Sequence, residues 1–301
     1  MLENRKTIQT AYIKLVIAIV IWGGSFIATK IAVRDVSPVT VVWLRFLIGT
    51  IILGYIAWKQ NDLSLPAGKD RLELLLLGFL GITLHQWLQS SGLVTSEAST
   101  TAWLVSTTPV FMALLGWAFL KEKLTRETII GFFLATIGVL LVVSKGNIIS
   151  AFSGKFGPVG DFLILISAPN WAIFSVLSRP ILERLSSIKV TFYVFLSGWL
   201  LTSIQFLAGS RWVEFKNLSS AGWFSIAFLG IFCSAVAYIF YNDGLKALPT
   251  SHVGVFLYLE PLVTTIIAAI VLSESIVLVS LVGGGLILFG VWLVNRNSTQ
   301  V

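Results

Sequence analysis

Ten apolar stretches, each about as long as a membrane-spanning helix, dominate this sequence of 301 residues. A helix needs about 20 apolar residues to cross about 30 Å of hydrocarbon. Hydrophobic side chains make up 56% of the chain and charged ones 12%, with a mean hydropathy of +0.90, whereas an average soluble domain carries about 25% charged residues. This pattern predicts an all-α integral membrane protein and excludes a single soluble domain.

The predicted spans leave little of the chain outside the bilayer. The connections and tails are too short for a further soluble domain, including a nucleotide-binding one. We expect the ten spans at about residues 12–33, 39–58, 72–94, 100–120, 128–143, 160–182, 190–208, 221–245, 251–273 and 276–294.

The distribution of Lys and Arg predicts the orientation of the chain. If the spans alternate in direction, fourteen of these residues lie on the side of the N-terminus, six lie on the opposite side, and Arg45 lies within a span. Basic residues accumulate on the cytoplasmic side of membrane proteins. Both termini are therefore expected in the cytoplasm, and the net charge of +7 is attributed to this bias and not to a nucleic-acid partner.

An internal repeat is the strongest further signal. Some equivalent pairs are separated by 149 residues and others by 152, so one three-residue insertion reconciles the two offsets. We interpret the chain as two five-helix units, residues 1–148 and 149–301. The pairs include Trp22 and Trp171, Lys30 and Arg179, Phe46 and Phe195, Gly49 and Gly198, Gly81 and Gly230, Gly92 and Gly244, Pro109 and Pro261, Gly131 and Gly283, and Gly138 and Gly290.

Because five is an odd number, the second unit must enter the membrane from the opposite side. The prediction is an inverted repeat with a pseudo-two-fold axis in the membrane plane, which is typical of secondary transporters. Two similar halves can exchange inward-open and outward-open arrangements around a site at the midplane.

The repeat-defining residues resemble the drug/metabolite transporter superfamily, specifically ten-helix exporters of two EamA-type repeats. The resemblance covers nearly the whole chain. It lies in Trp22–Phe26, Ser37–Pro38, Leu44–Phe46, the spacing from Pro109 to Glu122, Leu259–Pro261 and Ser273–Glu274. The second half departs from the pattern with Ser187 for Pro38 and Val194 for Arg45. The resemblance implies transport of a small metabolite, since members move amino acids, nucleotide sugars, polyamines or cationic drugs, and many bacterial members export amino acids.

Glu260 and Arg45 are charged residues predicted well inside their spans. Glu260 is expected near the middle of the ninth span, where a carboxylate can bind a proton, a cation or a substrate amine, or make a structural contact with another helix. Arg45 could bind a substrate carboxylate or neutralise Glu260. A long cationic side chain also reaches the interface readily or caps helix carbonyls, and we favour such a structural role for Arg45.

Aromatic and polar side chains near the midplane form the candidate substrate site. Trp22 and Trp171 fall near the middle of their spans, where an aromatic belt at the interface does not explain them. The remaining candidates lie on neighbouring stripes, with core packing as the alternative: Ser25, His85, Gln89, Asn170, Tyr238, Tyr241 and Tyr258. Pro109 and Pro261 are candidate kinks that suit gating or static packing.

The remaining residues offer little for catalysis. The sequence has two histidines and one cysteine, so neither an intramembrane enzyme nor a metal site is expected, and no cofactor is predicted. Without a phosphate-binding loop, the energy would come from the substrate gradient or from an ion, most plausibly H+. We therefore expect a secondary transporter in the bacterial inner membrane, exporting an amphipathic metabolite such as an amino acid. An exporter of lipophilic organic cations is the alternative, and the sequence leaves the oligomeric state open.

Overall fold

The structure is a computed structural model that describes residues 2–108, 110–112, 114–115, 126–147, 157–248, 253, 256–257 and 259–296. All regular secondary structure in these ranges is helical. The α-helices are α1 (Leu2–Asp35), α2 (Pro38–Lys59), α3 (Gly68–Gly78), α4 (His85–Thr95), α5 (Ala98–Val105), α6 (Arg126–Ser144), α7 (Val159–Arg184), α8 (Ser187–Ala208), α9 (Ser220–Phe228), α10 (Ala237–Ala247), α11 (Leu259–Val271) and α12 (Leu278–Arg296). Two π-helices, π1 (Phe79–Leu84) and π2 (Leu229–Val236), join α3 to α4 and α9 to α10, and a 3₁₀ helix covers Arg211–Asn217.

Six of the predicted spans are confirmed as helical rods long and apolar enough to cross a membrane. They cover Gln9–Asp35, Pro38–Lys59, Gly68–Thr95, Val159–Arg184, Ser187–Ala208 and Ser220–Ala247. Shorter apolar helices lie in the predicted fifth, ninth and tenth spans. Large hydrophobic side chains point outward from these rods, among them Phe224 and Ile270, each 76% exposed. Such an outer surface suits a protein whose solvent is lipid.

Each of the two long rods that contain a π-helix changes its winding at a corresponding place. π1 begins at Phe79 and π2 at Leu229, positions that are 150 residues apart, close to the repeat offset. A π-helix inserts an extra residue into a turn and re-aims the side chains that follow it. His85 and Gln86 come directly after π1, and Tyr238 follows π2 by two residues.

The predicted fourth span is broken in the structure. α5 ends at Val105, a turn covers Ser106 and Thr107, and helical residues resume at Thr108. Hydroxyl groups of Ser106, Thr107 and Thr108 donate hydrogen bonds of 2.6–2.7 Å to carbonyls three residues earlier. These bonds satisfy backbone groups that the break leaves free inside a bundle without water. The span predicted over residues 100–120, with a candidate kink at Pro109, is therefore interrupted at Ser106 and Thr107; Pro109 lies outside the described residues.

Glycines bring α6 and α12 into direct contact, as the seven-residue spacing of Gly131, Gly138, Gly283 and Gly290 predicts. A Cβ added to Gly138 would lie 2.5 Å from the carbonyl oxygen of Gly283, and one added to Gly290 would lie 2.5 Å from that of Gly131. The two contacts are reciprocal, because Gly290 is the repeat equivalent of Gly138 and Gly283 that of Gly131. Small residues allow such close backbone approach in membranes.

We expect Gly138→Ala to destabilise the protein by about 1–3 kcal/mol, the usual cost of overpacking, because the new methyl group would meet backbone and not a movable side chain. Gly285→Ala is the matched control on α12, since a Cβ at Gly285 meets nothing within 4 Å. Thermal unfolding of the purified proteins in detergent measures the difference. Equal melting temperatures for the two variants would contradict the packing described here.

Candidate functional site

The centre of the bundle is an aromatic cluster where α1 and α7 meet. The rings of Trp22 and Trp171 are 5.6 Å apart in an edge-to-face arrangement. Tyr238 and Tyr241 from α10 lie 5.0–5.8 Å from both tryptophans. The indole nitrogen of Trp22 donates a hydrogen bond of 2.9 Å to the carbonyl of Cys233 in π2. The two tryptophans predicted near the midplane are therefore brought together.

A central cavity lies beside this cluster, with an empty space of about 430 Å³ that includes the part open to the surroundings. The cavity is lined by Trp22, Ser25, Phe26, Arg45, His85, Gln86, Gln89, Val105, Trp171, Tyr238, Leu257 and Glu260. Seven of the predicted substrate-site residues, Trp22, Ser25, His85, Gln89, Trp171, Tyr238 and Glu260, thus share one cavity.

Two predicted site residues, Asn170 and Tyr241, are not among the residues that line the cavity. Asn170 donates a hydrogen bond of 2.8 Å to the carbonyl of Leu80 in π1, so it satisfies a backbone acceptor. Tyr241 is fully buried behind the tryptophans, and its hydroxyl lies 3.0 Å from that of Ser175. Their predicted role as lining residues is corrected to structural support. Tyr258 lies outside the described residues.

Glu260 occupies the first turn of α11 and is 5% exposed. The N-terminus of a helix carries a partial positive charge, which favours a carboxylate at this place. No residue in the described ranges donates a hydrogen bond to this carboxylate or forms an ion pair with it. Gly23 allows the close approach of α11 to α1, because a Cβ there would lie 2.8 Å from Val263. The tryptophan of α1 and the carboxylate of α11 consequently face the same cavity.

Pro261 follows Glu260 and also lies in the first turn of α11. We predicted it near the middle of the ninth span as a candidate kink; in the structure α11 begins at Leu259, and a turn precedes it at Leu257. Proline in a first turn costs no internal hydrogen bond. The chain is thus interrupted before the proline, and the role of Pro261 in gating stays a prediction.

The two interruptions occur at repeat-equivalent positions. Val105 and Leu257 are 152 residues apart in the sequence, and both line the central cavity. In transporters, broken membrane helices characteristically form the substrate site, because their ends present backbone groups and dipoles to the ligand. The sequence predicted candidate kinks at Pro109 and Pro261 in these two spans, but not that the interruptions would border the cavity.

Arg45 lies inside the bundle and is only 3% exposed. It therefore does not reach the interface, which was one of the two structural roles considered for it. Its Nε donates to Ser234 Oγ at 3.2 Å and its Nη1 donates to Gln86 Oε1 at 2.8 Å. Gln86 in turn donates to the hydroxyl of Tyr238 at 3.0 Å. Neither Arg45 nor Gln86 was among the predicted substrate-site residues.

The ring of His85 packs against Trp171 at 4.7 Å. Its Nδ1 is buried and has no hydrogen-bond partner within the described part of the chain. The ring also forms a hydrogen bond with the backbone of Ser167 on α7, so His85 does make the hydrogen bond between helices that is expected of a lone buried histidine. His85 also adds a flat, polarisable surface to the cavity.

Several residues contact their own repeat equivalents. Trp22 packs on Trp171, and Phe46 packs on Phe195 with ring centroids 4.7 Å apart. The hydrogen bond from Gln86 to Tyr238 also joins positions 152 residues apart. A residue can contact its own equivalent only where both lie close to the axis that relates the two copies. These pairs lie in or beside the central cavity.

Two sets of contacts between helices, here called closures, lie on either side of the cavity along α1. At one end, here called the Ser96 end, Ser96 Oγ donates to Asp161 Oδ1 at 2.5 Å, and Gly92 and Gly160 bring α4 and α7 into contact. Lys30 donates to the carbonyls of Leu93 and Ser96 at the same end.

At the other end, here called the Asp243 end, Lys14 forms an ion pair of 2.5 Å with Asp243, and Leu15 packs on Gly244. Lys14 and Lys30 are sixteen residues apart on α1, or about 24 Å along the helix. The two closures therefore lie far apart, with the cavity between them.

The fold and the site define a class: a helical integral membrane protein with a polar, aromatic cavity enclosed at its centre. Comparison with known proteins agrees with this class and identifies the family. The EamA-like transporter family matches residues 9–144 and again residues 158–296, and the chain belongs to this family.

The relatives of the chain extend over nearly its whole length. An uncharacterized transporter of Archaeoglobus fulgidus is 30% identical over 99% of this chain and 100% of its own length. The Bacillus subtilis transporter YyaM is 28% identical over 93% and 92%. A probable terminal-alkyne amino-acid exporter of Streptantibioticus cattleyicolor is 25% identical over 94% and 93%.

A solved crystal structure shares the fold. It matches with a TM-score of 0.67 over 95% of this chain and 96% of the other, at 19% sequence identity. The arrangement of helices is therefore one that is already known among solved structures.

We expect Asn170→Leu to lower the free energy of unfolding by about 1–3 kcal/mol, because the Leu80 carbonyl would lose its partner in a region without water. Gln89→Leu is the comparison, since Gln89 lines the cavity and makes no hydrogen bond with a described residue. Its stability should remain near that of the wild type in the same thermal-unfolding measurement. Destabilisation by Gln89→Leu alone would reverse the roles assigned to the two amides.

Proposed function

We propose that the protein is a secondary active transporter that exports a small amphipathic metabolite, with an amino acid as the best candidate. The observation that carries this proposal is the central cavity, in which the buried Glu260 carboxylate has no partner among the described residues and faces aromatic rings. An unpaired intramembrane carboxylate is costly and is typically retained for binding an ion or a substrate. Glu260 would bind the amine or a coupling proton, and the aromatic rings would contact the apolar part.

The proposal includes ten membrane helices arranged as two inverted five-helix repeats, residues 1–148 and 149–301. The contacts between repeat equivalents support it, since a pseudo-two-fold axis places such residues against each other. Two further observations support two similar repeats: the reciprocal glycine contacts between α6 and α12, and the two separate matches to the family. Two copies of five helices give ten crossings, an even number, so both termini would lie on the same side of the membrane. We propose that this is the cytoplasmic side of a bacterial inner membrane.

Alternating access would open the Ser96 end and the Asp243 end in turn. Both closures consist of a close helix contact at a glycine and a few polar bonds. Gly92 and Gly244 are repeat equivalents, so each end uses the same type of contact. Two closures of similar construction allow the open states to have similar energies, as exchange between them requires.

The choice of substrate follows from the cavity and from one relative. The name of the Streptantibioticus cattleyicolor protein, a probable terminal-alkyne amino-acid exporter, makes an amino acid the first candidate here. The second candidate is a lipophilic organic cation, which is favoured by a carboxylate surrounded by aromatic rings. H+ is the proposed coupling ion, with Glu260 as the proton-binding group. Neither candidate requires a cofactor.

Glu260→Gln is expected to reduce transport about tenfold or more, because a charge-assisted hydrogen bond contributes about 1.5–3 kcal/mol. The pH dependence of transport should also flatten, since the amide does not titrate. Counterflow of labelled amino acids and organic cations in proteoliposomes, with and without a pH gradient, measures both effects. Glu183→Gln at the exposed end of α7 is the control. A variant with wild-type rates at every pH would remove Glu260 from the mechanism.

Single-cysteine labelling tests the inverted arrangement. The natural chain has only Cys233, which is buried, so the wild type supplies the unlabelled baseline. Gln60→Cys and Asn217→Cys place thiols on exposed residues of two connections. In intact cells an impermeant maleimide should label only Asn217→Cys, and Gln60→Cys should react only after permeabilisation.

Tags on both termini should likewise become accessible only after permeabilisation. Termini on opposite faces of the membrane, or both cysteines on the same face, would show that the inverted ten-helix architecture is wrong.

A further inference from the structure

Arg45 carries a buried charge that the proposed function does not account for. A guanidinium group is permanently charged, and this one is buried in the middle of a membrane-spanning helix. None of the described carboxylates lies close enough to form an ion pair with it. Buried charges are normally paired, since an uncompensated charge in a low-dielectric interior is costly.

The protein holds Arg45 in place with neutral groups. Ser234 accepts from Nε, Gln86 accepts from Nη1, and the ring of Phe46 lies 4.9 Å from the guanidinium carbon. Gln86 is itself held by Tyr238. The Nη2 group makes no hydrogen bond with any of the described residues. A fixed cation with a free donor therefore borders the central cavity.

We infer that Arg45 binds the carboxylate of the transported substrate, which makes the substrate an α-amino acid zwitterion; this inference rests on the proposed function. A guanidinium group matches the planar geometry of a carboxylate. Glu260, which also lines the cavity and is not paired with Arg45, would bind the ammonium group. Each charged end of the zwitterion then supplies the partner that one protein charge lacks.

The repeat relationship supports a ligand with two unlike ends. Arg45 comes from the first half and its equivalent is Val194, whereas Glu260 comes from the second half and its equivalent is Thr108. Each half thus contributes one charge of opposite sign to a scaffold that is otherwise similar in its two copies. An organic cation without a carboxylate would leave Arg45 unpaired and would be repelled by it.

The test compares amino acids with their amides, which retain the ammonium group and lack the carboxylate. Counterflow of labelled leucine, phenylalanine, threonine and serine is measured in proteoliposomes of the full chain, with each amide as competitor. For wild-type protein we expect the amide to compete at least about tenfold more weakly than the amino acid, because the Nη2 donor would stay unpaired.

Gln86→Glu is the decisive variant, because it places a carboxylate at the atom that already accepts from Arg45. It should fold, since it adds an ion pair, and it should reduce the preference for the amino acid over the amide to about threefold or less. Arg45→Gln should have the same effect if it folds. Gln89→Glu adds the same charge to the same helix without contacting Arg45, and it should retain more of the preference.

Two results would overturn the inference. Equal transport of acids and amides by the wild type, or an unchanged preference in Gln86→Glu, would show that Arg45 does not recognise the carboxylate, while the proposed transport activity would stand. Failure of the wild type to exchange any of the four amino acids would overturn the proposed substrate class, and this inference with it.

Discussion

Hydrocarbon offers no hydrogen-bond partner, and this constraint governs every polar group in the spans. The chain meets it by keeping polar side chains inside the bundle and by pairing the backbone wherever regular winding stops. At the break after α5, backbone carbonyls accept hydrogen bonds from the hydroxyl groups of Ser106, Thr107 and Thr108. In π1, a backbone carbonyl accepts a hydrogen bond from Asn170. The polar interior thus concentrates where helices are interrupted, and the central cavity forms at the same place.

Within this interior, paired and unpaired polar groups have different roles. Bonds such as Ser96 to Asp161 and Lys14 to Asp243 close the two ends of the bundle. The groups at the centre are held in position but lack a counter-charge: Arg45 is fixed by neutral partners, and Glu260 lies at a helix N-terminus. Pre-positioned charges of this kind are ready to interact with a ligand without rearranging.

The positions of helices were largely predictable, whereas the composition of the site was only partly so. Hydropathy placed the spans, and the repeat brought Trp22 and Trp171 to one level. Gln86 was missed although it lies three residues before Gln89 and thus on the same side of an α-helix. π1 winds differently from an α-helix just before these residues, and all three line the cavity. For Arg45, depth in a span did not reveal which neighbours surround the side chain.

By itself, the sequence determined that the protein lies in lipid, where its helical rods run, and that it consists of two similar halves. Hydrophobicity and repeat spacing are properties of the chain alone. Only the tertiary structure decided which polar residues meet, that Arg45 stays inside, and that Asn170 and Tyr241 support the cavity from behind. The physical reason is that a side chain's electrostatic partner is contributed by a distant segment. Its identity depends on how the helices pack and where their winding changes, and neither appears in local sequence pattern.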